Sequence, residues 1–207
     1  MKHLINKSNY NKILITRSTI IKPITQNEIT EKYISWLNDN EINKFLAVSH
    51  SKQTKVKVVD YINSLRNRNN CDMFAIFDKE TNGHIGNLTI TSFNTNNNGS
   101  MDFGIMIADK LSRSIGIGAE VMISFIDFIF SYDTIERISA AAASENFKSC
   151  KTLESIGFMK EGIIRKIIPL NNGEKCDNIH YGLLKEEWND KRKKFISFLN
   201  LTEILSN

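Results

Sequence analysis

The chain has 207 residues, of which 41% are hydrophobic, and this is enough for one domain with a substantial core. The formal charge of +4 comes from lysines and arginines spread along the chain, so the composition indicates no nucleic-acid partner. No apolar run approaches the roughly 20 residues that cross a bilayer, and the first residues lack the apolar segment of a signal peptide, which predicts no membrane partner. Three cysteines without Cys-x-x-Cys spacing and four scattered histidines predict reduced thiols, a cytoplasmic location and no metal site.

The first third of the chain predicts one strand followed by helices. Residues 12–21 are rich in β-branched side chains, which favours a strand. Thr25 and Glu28 have the spacing of a capping box, which predicts a helix from there to Leu37, before an Asn-Asp-Asn break. The apolar spacing beyond the break predicts two further helices, over residues 41–46 and 54–66.

The remainder of the chain alternates between predicted strands and helices. Helices are predicted over 119–130 and between Asn146, as N-cap, and Gly157, as the left-handed residue after the last turn. The predicted strands cover 74–77, 84–93, 101–108 and 135–139, with a final hairpin of 162–170 and 175–184. We therefore expect an α+β domain over 1–188. Residues 189–207 have partly helical apolar spacing and predict a helical tail, which packs on its own domain or forms a homodimer contact.

A glycine-containing loop lies between the predicted strand 101–108 and the helix 119–130. Its sequence is Arg113-Ser-Ile-Gly116-Ile-Gly118-Ala119. The first turn of a helix has unpaired N–H groups and a positive dipole end, and glycine lets a phosphate approach them. The chain contains no Gly-Lys pair, so this is not a Walker A loop, and Val121 stands where a dinucleotide fingerprint needs its third glycine. The loop therefore predicts a phosphorylated ligand held by residues 113–119.

A second motif follows the loop along the chain: Asn146-x-x-Ser149-x-x-x-x-Glu154-x-x-Gly157-Phe158. Together, and in this order, the two motifs resemble those of the GNAT superfamily of N-acetyltransferases. The second motif is similar to that of the branch containing the ribosomal-protein alanine N-acetyltransferases and related amino-sugar acetyltransferases. The resemblance covers residues 12–188. It implies the GNAT (acyl-CoA N-acyltransferase) fold, which is a mixed, mostly antiparallel central sheet flanked by helices on both faces.

The resemblance also implies acetyl-CoA as cosubstrate. In the superfamily the strand before the loop carries a bulge and separates from the next strand, and the pantetheine arm lies in the gap. Carried over, the Met106 N–H would meet the thioester carbonyl, Ile107 would line the arm, and Asn146 would bind the pantetheine amide or order the helix start. The cofactor-binding residues implied are Met106, Ile107, Arg113, Ser114, Ile115, Gly116, Ile117, Gly118, Ala119 and Asn146.

Two catalytic residues are implied in the same way. Many members place a tyrosine seven residues after the motif asparagine, but this chain has Leu153 there. Ser149 is then expected to protonate the departing thiolate, with a local capping role as the alternative. Glu161, beside Gly162, is expected to be the general base. Asp102, His84 or a chain of water molecules are alternatives to it.

The acceptor is expected to be a small-molecule or peptide amine. The strings Trp36-Leu-Asn-Asp and His84-Ile-Gly-Asn-Leu88 resemble those of relatives that acetylate nucleotide-linked amino sugars, and an exposed Trp36 could stack on a sugar or base. Trp36 as a core residue is the alternative. A ribosomal-type protein N-terminal acetyltransferase, a polyamine or aminoglycoside acetyltransferase, and a non-catalytic acetyl-CoA-binding protein that has lost its tyrosine remain as alternative functions.

Overall fold

The computed structural model describes residues 12–46, 51–68, 71–92, 99–114, 116–170, 172–195 and 203–206. A central sheet runs through them in the order β7-β8-β6-β5-β4-β3-β2-β1-β9. Among the described strand pairs only β5 and β6 are parallel, so the expected mixed, mostly antiparallel sheet is confirmed. The strands are β1 (Lys12–Ile15), β2 (Thr19–Pro23), β3 (Cys71–Asp78), β4 (His84–Ser92), β5 (Ser100–Ile107), β6 (Arg137–Ala143), β7 (Met159–Pro169), β8 (Lys175–Leu184) and β9 (Glu203–Ser206).

Helices cover both faces of this sheet. On one face, which we call the α4 face, Val121, Leu153 and Trp188 are buried in a common core. On the other, the α1 face, Tyr33 and Ile62 lie in a second core. Among the described residues no helix is long and apolar enough to cross a membrane. The helices are α1 (Glu31–Asn38), α2 (Lys55–Asn67), α3 (Lys110–Ser114), α4 (Ile117–Phe130), α5 (Phe147–Ile156) and α6 (Lys185–Lys191), with 3-10 turns at Gln26–Glu28 and Arg192–Phe195.

The N-terminal predictions needed three corrections. The single strand expected over 12–21 is the hairpin β1–β2, because the buried carboxylate of Glu120 accepts hydrogen bonds from Thr16 Oγ1 (2.6 Å) and the Ser18 N–H (2.7 Å) at the turn. The capping box at Thr25 opens only a 3-10 turn, and α1 begins after its own N-cap, Thr30. Residues 41–46 form turns rather than a helix.

The C-terminal tail is only partly helical. Trp188 of α6 is fully buried, and the ring of Phe195 stacks on it at 5.6 Å. Residues 203–206, however, form β9, which pairs antiparallel with β1 at the edge of the sheet. The helical tail predicted for 189–207 is therefore wrong over residues 203–206, and its residues 196–202 and 207 lie outside the described residues. The partner strand is distant in sequence, so the apolar spacing of the tail could not reveal it.

A gap opens in the sheet between β5 and β6. The two strands pair only where Ser100–Asp102 faces Arg137–Ser139. Beyond that point β5 pairs with β4 as far as Ile107, and β6 pairs with β8 as far as Ala143. The register between β4 and β5 is continuous over the described residues, so the bulge expected in β5 is absent. Past Asp102 and Ser139, the described pairing of β5 is with β4 and that of β6 is with β8.

Gly86 on β4 sets how closely β5 can approach at this gap. A Cβ atom there would overlap the Met106 carbonyl oxygen and lie 3.0 Å from the Ile107 Cα, and both neighbours are backbone. We expect Gly86→Ala to lower the free energy of unfolding by about 1–3 kcal/mol, measured by urea denaturation, because the strand backbone must shift. Gly104→Ala on β5 is the matched control, because its Cβ would meet no atom within 4 Å. Equal losses in the two variants would contradict the close approach.

Candidate functional site

The glycine loop forms the junction between α3 and α4. Gly116 is the N-cap of α4 with φ +85°, a conformation that favours glycine, and it is exposed. In the part of the chain that the structure describes, no side chain caps this helix end. The Ala119 N–H donates to the Gly116 carbonyl (3.0 Å), so the unpaired donors expected at a helix start are the preceding ones, those of Ile117 and Gly118. Ile115 and the Ser114 side chain lie outside the described residues.

The loop adjoins the open end of the gap. A Cβ added to Gly118 would lie 3.6 Å from the Ile107 Cγ1 at the end of β5. Ile107 is half-buried and packs against the core of the α4 face, whereas Met106 packs against the core of the α1 face. The phosphate-type loop and the gap therefore form one continuous feature. A long ligand bound to the loop could enter the sheet between β5 and β6.

Lys148 adds a positive charge beside this loop. Its Nζ donates to the Arg113 carbonyl oxygen at the end of α3, which brings the first turn of α5 next to the start of α4. Arg113 itself is half-buried. Neither sequence motif includes Lys148. The available signal was its position two residues after the Asn146 N-cap, but only its hydrogen bond to Arg113 shows that it meets the loop.

The first turn of α5 lies at the other side of the gap. Asn146 caps this turn, and its Oδ1 accepts the Ser149 N–H (3.3 Å). The Cys150 thiol donates to the carbonyl of Ala143, the last residue of β6 (3.6 Å). Ser149 is half-buried in this turn, while Leu153, at the position of the usual tyrosine, is buried in the hydrophobic core. The carboxamide of Asn146 thus serves as a cap in this structure.

Glu161 is held in an ion pair on the α1 face. Its Oε1 accepts from Arg137 Nη1 (2.7 Å), and Oε2 contacts Nη2 of the same guanidinium. The pair lies over Gly182 of β8, where a Cβ would overlap the Glu161 carboxylate. The hydrogen bonds from Arg137 lower the pKa of Glu161, which makes it a weaker proton acceptor. Two strands, β8 and β6, separate its own strand, β7, from the gap.

Asp102 lies where the gap begins. It faces Ser139 in the last pair between β5 and β6. Its neighbours Met101 and Phe103 point into the core of the α4 face, so the Asp102 side chain projects from the α1 face. Burial raises the pKa of Asp102 to about 6. The structure thus puts a carboxyl group with a raised pKa at the narrow end of the gap.

His84 and Trp36 lie together in an aromatic cluster. The His84 ring stacks on Phe77 at 5.4 Å and meets the edge of Trp36 at 5.1 Å. Its Nε2 contacts the Gly86 carbonyl (2.9 Å) and Asn87 Oδ1 (3.0 Å), and burial lowers its pKa. Trp36 is only 6% exposed. The exposed tryptophan considered for stacking on a sugar is therefore wrong, and the alternative of a core residue is correct.

The segment of residues 39–46 spans the wide end of the gap on the α1 face. Glu41 forms an ion pair (3.4 Å) with Lys110, the first residue of α3, and α3 follows β5 along the chain. Lys44 forms one with Glu145 just after β6 (3.7 Å). Phe45 packs with Ala143 in a small apolar cluster. The segment thus contacts the flanks of both separated strands.

Comparison with known proteins identifies the arrangement. The family described as Acetyltransferase (GNAT) domain matches residues 19–159. A Bacillus licheniformis protein named uncharacterized N-acetyltransferase p20 is 27% identical over 153 residues, which is 73% of this chain and 84% of the relative.

Two solved structures share the fold. A GCN5-related N-acetyltransferase from Brucella melitensis matches with a TM-score of 0.74 and 19% identity, covering 91% of this chain and 86% of that one. Spermidine N-acetyltransferase from Vibrio cholerae, solved in complex with CoA and spermine, matches with a TM-score of 0.73 and 17% identity, covering 83% and 98%. The family match spans more than half of the chain, and the gap and glycine loop lie within it. The chain therefore belongs to the GNAT family of N-acetyltransferases.

Proposed function

We propose that this protein transfers the acetyl group of acetyl-CoA to a primary amine by direct attack of the amine on the thioester. The observation that carries the proposal is the gap between β5 and β6, which leads to the uncapped start of α4. Loop N–H groups and Lys148 would hold the diphosphate, and the pantetheine arm would extend along β5 past Ile107. The other strand of the gap, β6, ends at Ala143, against the first turn of α5.

The residues around the gap then take separate roles. A backbone N–H of β5 that faces the gap, that of Ile105 or Ile107, would donate to the thioester carbonyl, and such a donor contributes about 3 kcal/mol in the transition state. The Ala108 N–H donates to Ile85 of β4 (2.8 Å). Because N–H directions alternate along a strand, the Met106 N–H also points to β4, where Met106 pairs with Asn87, and the assignment expected for Met106 is therefore not kept. Ser149 would protonate the thiolate, because the first turn of α5 adjoins β6 and Leu153 has no proton to give. Asn146 would order this turn through its cap.

The acceptor would approach from the α1 face, because the coenzyme loop and α5 occupy the α4 side. We retain a small-molecule amine as the acceptor, with a nucleotide-linked amino sugar as one candidate. Burial of Trp36 removes the stacking argument for that sugar. The Vibrio cholerae neighbour, solved with spermine, makes a polyamine an equal candidate. A protein N-terminus and a non-catalytic role remain the alternatives.

The test is release of free thiol from acetyl-CoA with three acceptors: spermidine, a UDP-linked amino sugar and a short peptide with an N-terminal alanine. Calorimetry measures acetyl-CoA binding in parallel. We expect turnover with a small-molecule amine that exceeds the rate without acceptor. Tight coenzyme binding without turnover of any acceptor would favour the non-catalytic alternative instead.

Gly118→Ala tests the coenzyme site without disturbing the fold. Its Cβ would make only an ordinary contact with Ile107, and alanine favours a helix over glycine, so stability should not fall. The methyl group would, however, occupy the place where the loop meets the gap. We expect the Kd for acetyl-CoA to rise at least about tenfold, or roughly 1.4 kcal/mol, by calorimetry. Gly162→Ala on β7, whose Cβ meets no atom within 4 Å, should leave the Kd unchanged. Unchanged affinity in Gly118→Ala would contradict the assignment.

Lys148→Ala tests the electrostatic part of the same site. Removing a charge beside the diphosphate should weaken acetyl-CoA binding about 5- to 20-fold at low ionic strength, and less at high salt because exposed charges are screened. Lys151→Ala makes the same change in net charge on α5, one turn further along the helix, and should have a much smaller effect. Equal effects of the two variants would show that only net charge matters.

A further inference from the structure

A row of paired residues with polar side chains at its centre crosses the sheet on the α1 face, at the narrow end of the gap. The register of the strands places its members side by side, and directly paired residues share a face. At this position along the strands, each of β3, β4, β5, β6 and β8 pairs with the next one in the sheet. The members are Cys71 on β3, Thr91 on β4, Asp102 on β5, Ser139 on β6 and Gly182 on β8.

Asp102 is the one carboxylate in this row, and uncharged residues flank it. Thr91 and Ser139 are its direct neighbours across the strands. The described structure gives Asp102 neither a hydrogen bond nor an ion pair, and burial is the cause of its pKa shift. Arg137 is the nearest charged residue of this face in strand register, two residues before Ser139 on β6, and its guanidinium binds Glu161. Further titratable groups that the structure describes on this face are Cys71 on β3, Tyr61 and Arg68 at α2, and His180 on β8.

Open space adjoins Asp102 on the same face. Gly104 is the next residue of β5 that projects there, and it is exposed with no atom within 4 Å of a built Cβ. The strand beyond the gap offers only the small side chain of Ala141. An amine could therefore lie over Gly104, between the Asp102 carboxylate and the backbone of β5.

From this geometry we infer that Asp102, rather than Glu161, is the catalytic residue that takes the proton from the acceptor ammonium group. Glu161 and Arg137 then form a structural ion pair that holds β7 to β6 across Gly182. The inference rests on the proposed acetyl transfer. It differs from the expectation for Glu161, whose charge is already neutralised by a guanidinium.

The proton and electron balance is simple. The Asp102 carboxylate accepts one proton from the ammonium, which leaves a neutral amine with a lone pair. The nitrogen attacks the thioester carbon, a C–N bond forms, and the C–S bond breaks with its electron pair leaving on sulfur. The second proton lost by nitrogen goes to the thiolate, giving the acetamide and the free thiol, and Asp102 returns its proton to solvent.

Partial burial of the Asp102 carboxylate without a neighbouring positive charge lowers the stability of the folded state when the group is ionised. A carboxylate that served the fold would instead raise that stability, so the two roles can be told apart by the melting temperature. The pKa of Asp102 is raised from 3.8 to about 6, so the folded state binds this proton more tightly than the unfolded chain. The contribution of protonated Asp102 to the free energy of unfolding is therefore present below pH 3.8 and is lost as the pH rises from 3.8 through about 6. Asp102→Asn, which does not ionise, should melt at the same or a higher temperature than the wild type at pH 8.

The experiment compares wild type, Asp102→Asn and Glu161→Gln with acetyl-CoA and whichever of the three acceptors the wild type acetylates. We expect Asp102→Asn to lower kcat at least about 100-fold at pH 7.5 with unchanged acetyl-CoA affinity. It should also lose the acidic limb of the kcat/KM profile near pH 6. Glu161→Gln should keep that limb and most of kcat, and should instead lower the melting temperature.

Full activity with an unchanged acidic limb in Asp102→Asn would overturn the inference while leaving the proposed function intact, since the wild type is then active. Loss of the limb in Glu161→Gln would return the role to Glu161. A large drop in the melting temperature of Asp102→Asn at pH 8 would show that the carboxylate is structural. A wild type that binds acetyl-CoA but acetylates none of the three amines would overturn both proposals.

Discussion

The separation of β5 from β6 after three residue pairs is the constraint on which the candidate site depends. In the interior of a sheet, each strand normally satisfies the N–H and C=O groups of its neighbours on both sides. Past Asp102 and Ser139, the groups on the facing edges of β5 and β6 have no such neighbour in the described structure. A ligand with its own amide groups, as proposed for the pantetheine arm, would complete this part of the sheet with hydrogen bonds.

The start of α4 joins this gap to the phosphate-type loop, and its position is fixed by a buried carboxylate. Glu120, in the first turn, accepts hydrogen bonds from Thr16, from the Ser18 N–H and from Ser18 Oγ, the last at 3.0 Å. A negative side chain near a helix N-terminus also interacts favourably with the helix dipole. The same helix end places Gly118 against Ile107. Contacts with the distant β1–β2 turn thus fix the position of the glycine loop relative to the gap.

Two carboxylates on the α1 face show how the surroundings separate groups of the same chemistry. Arg137 donates to Glu161 and stabilises its charged form, which lowers its pKa. Asp102 is half-buried and pairs across the strands with a threonine and a serine, and the partial loss of solvation destabilises its charged form. Environments that push two pKa values apart are typical of residues with different roles. In our proposal the group with the raised pKa exchanges a proton, and the group with the lowered pKa holds the strands together.

The family and most of the fold could be predicted from the amino-acid sequence. Glycines at 116 and 118 before an apolar helix, and Asn146 and Gly157 at the two ends of another, are local signals whose physical cause lies within one or two turns of chain. The alternation of β5 likewise predicted a strand in the right place. Only the tertiary structure decided what depends on distant partners: the hairpin fixed by Glu120, the pairing of β9 with β1, the burial of Trp36, the approach of Lys148 to the loop, and the different surroundings of Asp102 and Glu161. These depend on strand register and on which side chains share a face, and local spacing does not specify either of them between segments far apart in the chain.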